Sequence, residues 1–395
     1  MTDQALRELF LLDPEIVFLN HGSFGACPVP VFERYQAWQR QLERQPVAFL
    51  DPDRGYGQWM ADTREKLAAE IGAQADDIVG ATNATHALNI VARSLPLKPG
   101  DEILTTDHEY AALEKTWAFV AARTGARVVV QKVPLPLDSA EAFTKAMLGA
   151  MTDRTRVLFL SHITSPTALL LPVDDLVIEA RRRGIWSIID GAHAPGHIPL
   201  NLETLGADFY AGNCHKWMMA PKGAAFLHVH DRHQTMMDPL VISHGWQPDR
   251  AAESGPFGGT AFVDAMEIQG TRDPSAWLSV PDAIAFRQSL DWPTLASRCV
   301  ELAQEASVRL AAVTGLPPLA SPEFCAPQMV ALPVPHCDPA WLKQALYDQH
   351  RIEIPVMEWG DMTIVRLSVQ CYNTADEIDL LLQSLVEVLQ LPAAA

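Results

Sequence analysis

The sequence predicts an α/β fold: a mostly parallel, seven-stranded sheet covered by helices, followed by a smaller α+β unit at the C-terminus. From about Asp77 onward, short β-branched or apolar runs alternate with helix-patterned segments. Such alternation builds parallel sheets with helices on both faces. Runs such as 157–160 (Val-Leu-Phe-Leu) are apolar at every position rather than at alternate ones, the mark of strands buried on both faces. Gly and Pro then cluster between Met237 and Pro281, and the pattern beyond them changes.

The strand-like runs fall at 77–81, 102–105, 127–132, 156–160, 185–189, 209–211 and 224–229. Helix-like segments lie between them at 85–93, 110–123, 140–148 and 173–183. The irregular stretch 237–281 leads to a long helix around 295–313, a strand at 328–333 and a helix at 339–348. A strand at 363–368 and an amphipathic helix at 375–389 complete the chain. A boundary near Asp291 separates a large unit, 15–290, from a small one, 291–395, which residues 1–14 are expected to join. A length of 395 residues fits two domains on a prior of about 150 residues each. It also suffices for a large core without disulfide staples.

Composition excludes several function classes. The net charge is −18 and no Lys/Arg-rich run occurs, so the electrostatic footprint of a nucleic-acid binder is missing. Asp3, Arg7, Glu8, Asp13 and Glu15 interrupt the first 20 residues, which therefore lack a signal-peptide pattern. No apolar stretch approaches the roughly 18 residues of a spanning helix. The six cysteines are scattered, without a CxxC pair, which fits reduced thiols in a soluble cytoplasmic protein.

The densest chemistry follows the strand expected to end at Ala211, in Gly212-Asn-Cys-His-Lys-Trp217. Lys216 reads either as a solvated surface lysine or as a buried one, and Trp217, Met218 and Met219 beside it argue for burial. A desolvated lysine loses basicity and can act as a Schiff-base nucleophile. Asp190, in Ile188-Ile-Asp-Gly-Ala-His-Ala-Pro-Gly196, stands at the C-terminal end of a buried strand, where open α/β sheets bind ligands. There it either pairs with a cationic ring nitrogen or caps a helix; Gly191 and Pro195-Gly196 favour a loop and weaken the second reading. Thr82-Asn-Ala-Thr-His86 precedes a helical segment. Its small polar residues can cap that helix, and the same geometry offers N–H groups and the Thr85 hydroxyl to a phosphate. All three signals follow strands, so they can converge at one sheet edge. His193 and His197 have the spacing of a helical metal pair, but Pro195-Gly196 breaks any helix between them, and no metal site is expected.

The ordered set of residues 82–85, Asp190-Gly-Ala-His193, His215-Lys216, Gly270-Thr271 and Arg366 resembles the class V aminotransferase-like pyridoxal-phosphate enzymes of fold type I. Further motifs are similar to the isopenicillin N epimerase-like branch: Leu19-Asn-His-Gly-Ser-Phe-Gly25, Asp107-His-Glu-Tyr110, Ser161-His-Ile-Thr-Ser-Pro-Thr167, Ser243-His-Gly-Trp246 and Gly270-Thr-Arg-Asp-Pro274. The resemblance implies pyridoxal 5'-phosphate as cofactor, with Lys216 forming the internal aldimine and Asp190 facing the pyridinium nitrogen. It places His193 near the ring's phenolic oxygen, Tyr110 stacked over the ring and Ser165 beside it. Thr85, the Ala84 backbone, Asn213 and His215 would hold the phosphate. Thr271 would reach the phosphate of a neighbouring subunit, which implies a homodimer with shared sites. Arg366 would clamp a substrate α-carboxylate, with Asn20 and His21 on the substrate side and Arg272 and Trp246 toward its distal end.

The implied activity is chemistry at the α-carbon of an amino acid or a compound derived from one. Epimerisation or racemisation leads, with Tyr110 or His21 as the second acid/base; C–S lysis and transamination are the alternatives. Cysteine desulfurases of this class carry a nucleophilic cysteine ahead of the carboxylate-binding arginine. Val356-Met-Glu-Trp-Gly-Asp-Met362 contains none, which disfavours persulfide formation.

Overall fold

The computed structural model describes residues 2–391, so residues 1 and 392–395 of the expected small unit lie outside the described residues. A short strand, β1 (Val17–Phe18), precedes seven strands of one sheet. These are β2 (Ile78–Ala81), β3 (Glu102–Thr106), β4 (Arg127–Gln131), β5 (Thr155–Ser161), β6 (Trp186–Gly191), β7 (Phe209–Asn213) and β8 (Ala225–Val229). Their order across the sheet is β2-β8-β7-β6-β5-β3-β4. Neighbours are parallel from β7 through to β4, and β8 runs antiparallel to both β7 and β2. The seven expected runs are these seven strands, with ends shifted by a residue or two.

Double-sided burial explains why the strands are apolar throughout. Val157 and Phe159 of β5 join one apolar cluster, with Leu88 and Trp117 from helices Ala84–Ser94 and Ala111–Thr124. Leu158 and Leu160 point to the opposite face and join a second cluster, with Phe143 and Leu176 from helices Ala140–Ala150 and Asp174–Arg182. Successive side chains of a strand face opposite sides, so both sides must be apolar once both carry helices.

Two long helices, Val29–Arg44 and Tyr56–Ile71, precede β2 and lie outside the expected alternation. The stretch expected to be irregular also contains helices Ala261–Glu267 and Ser275–Leu278. Towards the C-terminus, β9 (Met329–Val334), β10 (Ile352–Glu353), β11 (Val356–Trp359) and β12 (Met362–Ser368) follow helix Trp292–Thr314. A three-stranded antiparallel sheet has the order β11-β12-β9, and β10 pairs in parallel with β1. Val365 and Leu367 of β12 pack with Ala303 of helix Trp292–Thr314 and Leu385 of helix Ala375–Val388. Arg366, between them, therefore faces the other side of that sheet.

Candidate active site

The parallel strands end on one edge of the large sheet, and the chain turns there into a cavity of about 480 Å³. The strand order reverses between β3 and β5, the kind of switch point at which open α/β sheets bind ligands. Lys216 enters the cavity from the turn after β7, Asp190 from the end of β6 and Tyr110 from the turn after β3. The segment after β1 passes close beneath the lysine turn: a Cβ on Gly25 would lie 2.0 Å from the His215 carbonyl oxygen, and its φ is +69°. Only glycine fits there.

Burial shapes the electrostatics. Lys216 is pulled down to about 7 by desolvation and by the charge of Arg366, with Asp190 opposing. Its Nζ lies 2.9 Å from His193 Nε2. His193 is held well below the ordinary histidine range by burial, then by the charges of Lys216 and Arg366. Asp190 is 3% exposed, and its Oδ1 accepts a hydrogen bond from the Ala192 N–H at 2.9 Å. Burial raises its pKa, against that N–H and the charge of Lys216. Two strands over, after β3, the buried Glu109 carboxyl accepts from the Ser161 N–H (2.9 Å), the Ser161 hydroxyl (2.6 Å) and the Thr106 hydroxyl (2.7 Å). Desolvation pushes it up to about 8, with Asp190 adding to the rise.

Helix Ala84–Ser94 points its N-terminus into the same cavity. Asn83 caps it by accepting from the His86 N–H at 2.8 Å. The Ala84 N–H, expected at a phosphate, instead donates to Asn213 Oδ1 at 2.9 Å. That leaves the Thr85 N–H and hydroxyl, the Asn213 amide and His215 around the helix start. His215 Nδ1 is 3.1 Å from the Ala224 carbonyl oxygen, and burial pulls the ring down to about 4.

Of the expected site residues, Ala84, Thr85, Tyr110, Ser165 and Asp190 line the cavity, as do His193, Asn213, His215 and Lys216. His21 does not. It is fully buried, with Nδ1 3.0 Å from the Tyr372 hydroxyl and Nε2 3.1 Å from the Lys216 carbonyl oxygen. Burial holds it down to about 3, so it braces the lysine turn as a neutral ring. Asn20 is likewise outside the cavity, donating to Glu353 Oε1 at 3.1 Å. Thr271 is exposed and away from this chain's own cavity. Arg366, 4% exposed, sits behind the cavity wall. Its Nη1 donates to the Ser165 carbonyl (2.6 Å) and its Nη2 to the Ser23 hydroxyl (2.9 Å), both residues that line the cavity.

Sequence reasoning did not single out Ser23, Phe24, Ser161 or Lys222, which also line the cavity. Ser23 and Phe24 stand in the 19–25 motif, the one signal that pointed near them.

The donor set fits a phosphorylated, cationic aromatic aldehyde. A buried amine of lowered basicity would meet the aldehyde, a buried carboxyl would meet a ring cation, and a capped helix start would meet the phosphate. Fold and site together define a pyridoxal-phosphate enzyme of fold type I. The family model described as "Aminotransferase class-V" matches residues 31–381, and the chain belongs to that family. It is 39% identical over 390 residues to isopenicillin N epimerase of Amycolatopsis lactamdurans, covering 97% of each chain. It is 31% identical over 381 residues to a putative L-cysteine desulfhydrase of Oryza sativa subsp. japonica, covering 90% of this chain and 77% of that one. Among solved structures, a C-DES mutant with glycine covalently linked to the PLP cofactor superposes with a TM-score of 0.81 at 23% identity, over 96% of this chain and 99% of that chain. Pyridoxal 5'-phosphate is accordingly the cofactor.

Proposed function

We propose that the protein is an epimerase or racemase acting at the α-carbon of an amino acid or an amino-acid-derived substrate. The observation that carries this reading is that two proton carriers enter one cavity from separated strands. Lys216 follows β7 and Tyr110 follows β3, with β6 and β5 between them. At about 4.8 Å per strand, three spacings separate the strand ends by roughly 14 Å. Inversion at carbon needs a base on one face and an acid on the other. An amine pulled down to about 7 and a tyrosine that is 46% exposed match those two tasks.

Bound pyridoxal phosphate supplies an electron sink that acidifies the α-proton. Asp190 would hold the ring's proton, while Thr85, Asn213 and His215 would hold the phosphate. Arg366 would bind the substrate carboxylate, with Ser23 and Ser165 orienting its guanidinium until substrate arrives. A homodimer in which Thr271 serves the neighbouring site belongs to the same proposal, as does the division into two units near Asp291.

The likeness to isopenicillin N epimerase along almost the whole chain supports this reading. A C–S lyase is the second reading, favoured by the likeness to the desulfhydrase. It would remove the same proton and then expel a β-thiol. None of the six cysteines lines the cavity, so a persulfide-carrying route has no thiol there. Incubation of single-enantiomer amino acids and amino-acid-derived compounds in deuterated water separates the readings. Inverted product carrying α-deuterium is expected; a keto acid with released thiol would replace epimerisation by lysis.

A further inference from the structure

We propose that Trp217 is a positioning residue that, acting through His193, favours the neutral amine of Lys216. The Trp217 indole N–H donates to His193 Nδ1 at 3.3 Å. An indole nitrogen can only donate, so Nδ1 is bare and the proton of the neutral ring sits on Nε2. That nitrogen lies 2.9 Å from Lys216 Nζ. An N–H pointed at Nζ needs a lone pair there, which the neutral amine has and the ammonium lacks. An ammonium would need a bare Nε2. Moving the ring proton to Nδ1 would then set it against the indole N–H.

The indole is itself held firmly. Trp217 is fully buried, and the His197 ring stacks on it at 3.9 Å with 22° between planes. His197 has one orientation open to it: its Nε2 accepts from the Gln328 N–H at 2.9 Å, so its Nδ1–H donates to the His193 carbonyl at 3.0 Å. Gly196 lets this loop reach the lysine turn, since a Cβ there would lie 2.7 Å from the Trp217 carbonyl oxygen, at a φ of +77°. His193 is thus gripped at its carbonyl by His197 and at its ring by Trp217.

Other groups also act on Lys216. Asp190 from β6 favours the ammonium, and Arg366 from β12 opposes it. His193 and His215 face it as neutral rings, His21 bonds its backbone carbonyl, and Lys222 lines the same cavity. Exchanging Trp217 for phenylalanine leaves the charges of Asp190, Arg366 and Lys222 in place; it removes the N–H given to His193 and keeps an aromatic ring. The inference rests on Lys216 being the lysine that binds the cofactor; it does not depend on which reaction follows.

Two measurements on the full-length chain test it. Nitrogen NMR of histidine-labelled protein, with His193 assigned by its disappearance in His193→Gln, should give a bare Nδ1 and a protonated Nε2; a protonated Nδ1 overturns the proposal. The second is the pH dependence of covalent capture of pyridoxal phosphate by chain freed of cofactor, read as borohydride-fixed mass on Lys216. In Trp217→Phe the midpoint should rise by about one pH unit, a roughly tenfold fall in the reactive amine below it. In a His193→Gln background the same change should move it little, because the amide can turn either way. A folded Trp217→Phe protein with an unmoved midpoint contradicts the proposal. If that variant does not fold, the wild-type NMR result decides. Wild-type chain that captures no cofactor at any pH would instead overturn the reading of Lys216 itself, whatever the tautomer of His193.

Discussion

Glu109 carries the clearest consequence of burial at the scale of a residue. Its carboxyl, pushed up to about 8, is protonated at neutral pH next to Asp190. An acid whose folded pKa lies above its unfolded value adds stability that is complete below the unfolded pKa and is lost as pH rises to the folded one. Wild type should therefore lose stability between about pH 4.5 and 8 from this group. Glu109→Gln keeps the shape and stays neutral, with its amide group facing the Thr106 hydroxyl. The variant should match wild type in thermal melting near pH 5 and melt higher than wild type near pH 9. Equal melting temperatures at both ends would place an anion at Glu109 throughout. The same scale separates what was readable in the sequence from what was not. Lys216, Asp190 and the 82–85 segment were legible because each follows an apolar run that ends at the ligand-binding edge. His21 was not, because a single helical turn sorts neighbours to opposite sides: in His21–Phe24, His21 and Gly22 are buried while Ser23 and Phe24 line the cavity. Nothing in a seven-residue motif tells which of its members face inward.

At the scale of elements, legibility follows how completely an element is buried. The strands of the large sheet were readable because both faces are apolar, as in β5, where six of seven positions are buried. Helix Val29–Arg44 is polar over most of its length and fully buries only Val31 and Leu42. Helix Tyr56–Ile71 packs Met60, Leu67 and Ile71 into the apolar cluster that holds Ile78 of β2, and a buried charge ties it there as well. Arg64 Nη1 meets Glu267 Oε2 at 2.6 Å, and Glu267 Oε1 accepts the Gly80 N–H of β2 at 3.0 Å. This contact ties helix Tyr56–Ile71, helix Ala261–Glu267 and the edge strand together, and all of it is remote in sequence. Both side chains of the pair are almost fully buried. Glu267→Ala leaves a buried guanidinium and a strand N–H without partners, and should cost about 3–5 kcal/mol in denaturant unfolding. A loss below about 1 kcal/mol would mean that water reaches the pair and that the connection is ordinary packing.

The whole molecule resolves a contradiction in its charge. The chain is acidic by 18 charges, yet Lys216 and Lys222 line the cavity, Arg366 stands behind its wall, and among the described residues Asp190 is the one carboxylate that enters it. Net charge describes the outer field, while local charge decides which ligand a cavity takes. A cavity of this sign suits a ligand bearing phosphate and carboxylate. The fold delivers it by bringing residues from position 23 to position 366 to one sheet edge, which composition could not reveal and ordered motifs could. The central claim is that Lys216 is the covalent anchor of the cofactor at that edge. Borohydride reduction of the purified protein, followed by peptide mass mapping, tests this most directly. The account predicts one reduced pyridoxyl-phosphate adduct, on Lys216, and none in Lys216→Ala. An adduct on another lysine, or a cofactor-loaded protein with no adduct at all, would contradict it.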